Sequence, residues 1–167
     1  MIELRVLTPD DWRSWRAVRL AALADAPYAF KTRLADWQGD GDREERWRAR
    51  LSIPGAYDLL AELDGEPVGL ASGVPGEKAR EVRLISMWVS ERARGRGVAD
   101  RLMRSVEEEA VRSGAGLLRL AVMPGNDHAI ALYRRHGFEE TGVPGAPLPD
   151  GRRELVMAKR LDGAARA

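Results

Sequence analysis

A mixed α/β (α+β) fold, one central sheet of about seven strands flanked by four helices, is the class this sequence predicts, and three observations carry it. Strand-like runs at 56–63 and 67–73 are joined by Asp64-Gly65, a dipeptide suited to a tight hairpin, so the middle strands are antiparallel neighbours. Residues 81–123 read strand, loop, helix, strand, the order of a parallel unit. The helices fall unevenly between the strands, which argues against a doubly wound parallel sheet.

Along the chain, Ile2, Leu4 and Val6 alternate with Glu3 and Arg5, the pattern of a half-buried first strand. Thr8 as N-cap, Pro9 at the first helical position and acidic Asp10 and Asp11 then start a helix. Trp12, Trp15, Val18, Arg19 and Ala22 continue it at helical spacing to about Ala24. Residues 25–30 break the helix; being apolar and aromatic, they either pack down or line a pocket. A second, charged helix is expected from about Gly41 to Leu51, with Trp47 and Leu51 inward. After the hairpin comes the longest apolar strand, Glu81 to Val89, then a helix from Val98 to about Val111 closed by Ser113-Gly114. Leu117 to Met123 is a strand, Asn126 to His136 a short helix capped by Gly137, and Phe138 to Thr141 a strand. Val143 to Gly151, rich in Pro and Gly, is expected to be a loop before a last strand, Arg153 to Lys159; the tail 162–167 is expected to be flexible.

The totals narrow the function. At 167 residues, 44% hydrophobic and 32% charged, the chain is of ordinary globular composition and long enough for a real core. It has no cysteine and two histidines outside any ligand-spaced motif, which removes thiol chemistry and leaves no metal site or Ser-His-Asp triad in view. A net charge of +1 does not favour nucleic acid, and no apolar run has membrane-spanning length. The N-terminus lacks a secretory apolar core, so a cytoplasmic protein is expected.

Residues 94–99, Arg-Gly-Arg-Gly-Val-Ala, stand between the longest strand and a helix. Two glycines in three residues let the backbone approach a ligand with its N–H groups forward, and the helix start adds its positive dipole end. An anion is the natural guest, although a plain strand-to-helix turn with solvated arginines has the same composition. Asn126 and Tyr133 lie seven residues apart, two helical turns, and so share a face. Asn126 is also a good N-cap, and Tyr133 a plausible core contact near a Gly-capped helix end.

Residues 84–112, LISMWVSERARGRGVADRLMRSVEEEAVR, resemble the acetyl-CoA-binding segment of the GCN5-related N-acetyltransferase (GNAT) superfamily. Its pattern is Gln or Arg, two residues, Gly, one residue, then Gly or Ala, which Arg94, Gly97 and Ala99 satisfy. Residues 122–138, VMPGNDHAIALYRRHGF, resemble the second motif through Asn126, Ala129, Leu132, Tyr133, Gly137 and Phe138. The resemblance implies an N-acetyltransferase domain over residues 1–161 that moves an acetyl group from acetyl-CoA to a primary amine by direct attack in a ternary complex.

It also implies residue roles. The amides of Gly95, Arg96, Gly97, Val98, Ala99 and Asp100, with Arg94, would hold the pyrophosphate. Met87, Trp88 and Val89 would pair with the pantetheine arm, with an N–H near Val89 polarising the thioester. Asn126 would contact the arm, and the Tyr133 hydroxyl would protonate the departing thiolate. Glu81 is the favoured base, with a water relay from backbone carbonyls as the other option. Tyr28, Phe30, Trp88 and the 143–151 loop are nominated for the acceptor, a small-molecule amine or a protein N-terminus. Asp36, Asp40 and Asp42 would either attract a cationic amine or form a solvated charge run. A homodimer is compatible with the family. The competing reading is a non-catalytic acyl-CoA-binding regulatory module on the same fold.

Overall fold

The computed structural model describes residues 1–30 and 32–161, so the expected flexible tail at 162–167 lies outside the described residues. Seven strands form one sheet in the order β1-β2-β3-β4-β5-β7-β6. In chain order the elements are β1 (Ile2–Val6), α1 (Trp12–Asp25), α2 (Glu44–Arg50), β2 (Tyr57–Leu63), β3 (Glu66–Pro75), β4 (Glu81–Val89), α3 (Val98–Arg112), β5 (Leu117–Val122), α4 (Asp127–Arg135), β6 (Glu139–Pro147) and β7 (Arg153–Arg160). Every neighbouring pair is antiparallel except β4 and β5, which run parallel as the strand-loop-helix-strand order requires.

Local chemistry sets the boundaries. Asp11 accepts from the Thr8 amide at 2.8 Å, closing the start that Thr8-Pro9-Asp10-Asp11 encodes. Asp64 and Gly65 both take positive φ, the two-residue turn that matches strand twist. The second helix begins at Glu44, later than expected, because residues 39–41 form a separate 3-10 turn.

The largest departure is at the C-terminal hairpin. Residues 143–147, expected as loop, continue β6, an edge strand with shifts of register on either side of Pro144. Proline is tolerated there because an edge strand has one side free of ladder hydrogen bonds.

Each face of the sheet has its own core. One, under α3 and α4, gathers Leu59, Leu84, Leu102, Val106, Leu118, Leu120, Tyr133 and Phe138; the other, under α1 and α2, gathers Trp15, Val18, Trp47, Leu60 and Leu70. Two features of β4 then shape the site. Its pairing with β5 covers only Glu81–Arg83 against Leu117–Arg119, so the strands part company beyond Arg83. Its register against β3 shifts between Leu70↔Trp88 and Ser72↔Ile85, leaving one extra residue on β4, and Ser86 takes φ 59 there.

Candidate active site

The parting strands open towards the start of α3. Gly95 and Gly97 take φ 77 and 83, and Gly97 is the N-cap of α3. A Cβ at either glycine would meet no protein atom within 4 Å, so the cradle faces open space. The first helical amide with a backbone partner is that of Arg101, to Gly97 O at 3.1 Å. Among the described residues the N–H groups of Val98, Ala99 and Asp100 therefore remain free at the positive end of a 15-residue helix, a geometry that fits a diphosphate.

Side chains around the cradle are tied back. Arg94 donates from Nε to Val89 O at 3.1 Å and from Nη2 to Asp25 Oδ2 at 2.9 Å. Trp88 Nε1 donates to the same Asp25 oxygen at 3.0 Å. Asp100, whose charge would oppose an anion, accepts from Arg135 at 3.0 Å and lies 2.7 Å from His136 Nε2. His136 first and Arg135 second hold its carboxyl below the usual range. His136, the C-cap of α4, thus links α4 to α3.

The β4 backbone beside the divergence is oriented by its other neighbour. Ser90 N–H donates to Val68 O at 2.7 Å, so by strand alternation the main-chain groups of Val89 face away from β3, towards the opening. An extended arm would find there an unpaired stretch of β4 after Arg83 and of β5 after Arg119.

On α4, Asn126 is the N-cap and its Oδ1 accepts from Ala129 N at 3.4 Å, which leaves its amide NH2 for a ligand. Tyr133 is buried, with Phe138 at 6.0 Å between ring centroids. Burial pushes its phenol up to about 12. The ring therefore stays protonated at any ordinary pH.

Glu81 is buried and accepts from Arg119 Nη1 at 3.3 Å and from the Lys78 amide at 3.1 Å. With Arg83, Arg119, Ala121, Pro144 and Gly145 it lines a cleft of about 240 Å³ between the diverging strands and β6. Of the residues nominated for the acceptor, Phe30 lies under the Arg19 guanidinium at 4.6 Å, Trp88 is held by Asp25, and Tyr28 is exposed. The acidic run offers little to a cation: Asp42 accepts from Arg16 Nε at 2.7 Å and Trp47 Nε1 at 2.8 Å, which hold its carboxyl down to about 2.

Sequence reasoning missed Asp25 and a buried polar cluster on the α1/α2 side of the sheet. There Arg50 donates to Asp58 at 3.0 Å, to Ser72 at 3.0 Å and to Ser86 at 3.3 Å, and Ser72 donates to Asp58 at 2.6 Å. One signal was present: Arg19 falls within the buried stripe of α1.

Residues 15–138 match the model of the Acetyltransferase (GNAT) family. N-acetylaspartate synthetase of Homo sapiens is 35% identical over 111 residues, 66% of this chain and 36% of that protein, so the chain spans little more than a third of that relative. The ribosomal-protein-alanine N-acetyltransferase from Brucella melitensis has a TM-score of 0.72 at 29% identity, over 95% of this chain and 99% of that one. The Salmonella typhimurium protein yncA, solved with acetyl-CoA, has a TM-score of 0.74 at 23% identity, over 97% and 95%.

Proposed function

This chain belongs to the GNAT family of acetyltransferases, and we propose that it transfers an acetyl group from acetyl-CoA to a primary amine by direct attack within a ternary complex. The observation that carries this reading is the opening between β4 and β5, which leads straight to the free amides at the start of α3. It offers sheet edges for an extended arm and, at one end, a cradle for a diphosphate. Acetyl-CoA, when bound, supplies a thioester carbonyl already activated towards an amine.

The chain's own residues do the rest. The amides of residues 95–100 and the nearby Arg94 hold the diphosphate, the main chain of Met87 to Val89 aligns the arm, and the Asn126 amide fixes it from α4. The Val89 N–H polarises the acetyl carbonyl. Tyr133 donates a hydrogen bond to the departing sulfur. With the phenol near 12 and a reference thiol near 8.5, full proton transfer is uphill by roughly 5 kcal/mol, so the ring stabilises the thiolate and parts with its proton only as another replaces it. Glu81, eight residues of strand or roughly 26 Å from Val89, is too distant to take the amine proton, which leaves through water held by backbone carbonyls. Positioning two reactants side by side contributes the larger share of the acceleration.

The test is release of free thiol from acetyl-CoA against a panel of amines. Thiol release that depends on the amine supports the proposal. Binding of CoA with no release for any amine would instead mark a non-catalytic acyl-CoA-binding module.

A further inference from the structure

Three side chains on one face of α1 carry buried donor nitrogens without an acceptor: Trp12 Nε1, Trp15 Nε1 and Arg19 Nη1. Positions 12, 15 and 19 fall within a narrow arc of a helix, and Arg19 is the one of the three with a charge. Its guanidinium stacks on Phe30, and no carboxylate is bonded to it among the described residues. Arg50 stands close enough to repel it. Burial, and then that repulsion, lower the Arg19 pKa to about 10, the mark of a cation short of a counter-ion.

Among the described residues the only acid bonded in this cluster is Asp58, and it is occupied: one oxygen accepts from both Arg50 and Ser72. The cluster therefore holds two guanidinium groups and one carboxylate, which is bonded to Arg50 alone of the two. The cluster also has a fixed relation to the reaction site, because Arg50 reaches Ser86 at the β4 bulge, in the stretch of β4 that flanks the opening. Arg50 is itself stacked over Trp15 at 4.8 Å, which places the cation pair between α1 and that bulge.

We propose that Arg19 recognises a carboxylate on the acceptor, so that the amine acetylated here is a small amino acid, bound with its carboxylate against Arg19 and its amine towards Ser86 and the β4 opening. The proposal rests on the acetyltransferase reading above. A carboxylate supplies what the cluster lacks in charge, and a guanidinium fork is the group that matches it. A polyamine or other cationic acceptor would add a third positive charge to the pair.

The experiment compares amino acids with their carboxamides and decarboxylated amines, reading thiol release together with the melting shift each gives in the presence of CoA. The wild-type protein should favour the carboxylate form by at least about tenfold in kcat/KM, and only that form should raise the melting temperature. Arg19→Gln should lose the preference through KM, Arg19→Lys should restore part of it, and both should keep the melting shift given by CoA alone. Equal use of amino acid and carboxamide by the wild type, or an unchanged preference in Arg19→Gln, would overturn the acceptor assignment. Melting shifts from amino acids without thiol release would retain the carboxylate site and overturn the catalytic reading instead.

Discussion

Arg94 donates to Asp25 at 2.9 Å, joining the last residue of α1 to the loop that opens α3 across 69 positions of sequence. The carboxylate offsets the guanidinium charge beside the free amides at the start of α3 and at the same time holds the Trp88 indole. Asp25→Asn keeps an acceptor for Trp88 and removes the charge. CoA should bind about two- to fivefold more tightly to this variant, with the gain shrinking as salt is raised, by calorimetry or fluorescence titration. Weaker binding would mean that Asp25 serves to position Arg94 for the phosphate.

Tyr133→Phe removes one hydroxyl from a buried ring without opening a cavity. Turnover should fall roughly 10²-fold or more while the CoA dissociation constant stays within about twofold. Because burial raises the phenol to about 12, the wild-type kcat should show no falling limb from this group below about pH 11. The same shift acts on the fold: its stabilising contribution is complete below the ordinary value near 10 and is lost as pH climbs towards 12, which urea midpoints in that range would read.

Asp42 links α1 to α2 through Arg16 and Trp47, and its carboxyl is held down to about 2. A depressed carboxyl stabilises the fold above its unfolded value near 4, and that contribution is lost as pH falls towards 2. Urea midpoints of the wild type should therefore decline over that interval. Asp42→Asn should lower the midpoint at pH 7 and flatten the acid decline; an unchanged slope would assign the decline to other carboxylates.

Asp58 is almost fully buried against Arg50, whose side chain is 14% exposed. Asp58→Ala leaves that guanidinium unpaired inside the sheet face, and should cost about 3–5 kcal/mol of unfolding free energy by urea titration. Asp58→Asn, which retains an acceptor for Ser72 and Arg50, should cost less.

Gly97→Ala probes the cradle. Holding alanine at φ 83 costs roughly 1–2 kcal/mol, and the melting temperature should drop by about 2–8 °C. The added methyl also projects into the space in front of the free amides, so CoA affinity should fall by more than the stability loss accounts for. Equal CoA binding in a folded variant would move the diphosphate away from the start of α3.

Much of the fold was legible because it is written in local patterns. The apolar run of β4, the Asp64-Gly65 turn and the caps of α3 and α4 each depend on a few adjacent residues, and the structure places them within a residue or two of the expected bounds. The second half of β6 was not legible, since Pro144 and Gly145 contradict strand propensity and only the neighbouring β7 makes that stretch a strand. The backbone part of the site followed from the Arg-Gly-Arg-Gly spacing. Its side-chain part did not, because Asp25 meets Trp88 and Arg94 across more than sixty residues and Arg50 meets Ser86 across 36. Periodicity shows that Arg19 faces inward, but not that the core behind it contains a second arginine.

The brief pairing of β4 with β5 gives this sheet a pair of edges in its interior. An outer edge is open to another folded chain and invites edge-to-edge association, and β6 carries two prolines along its length at one such border. The inner edges are screened by the helices that cover the sheet, and a folded partner is too bulky to reach them. A slender, extended guest is not, so the geometry filters by thickness: it keeps the adhesive quality of an unpaired strand while removing the hazard of aggregation.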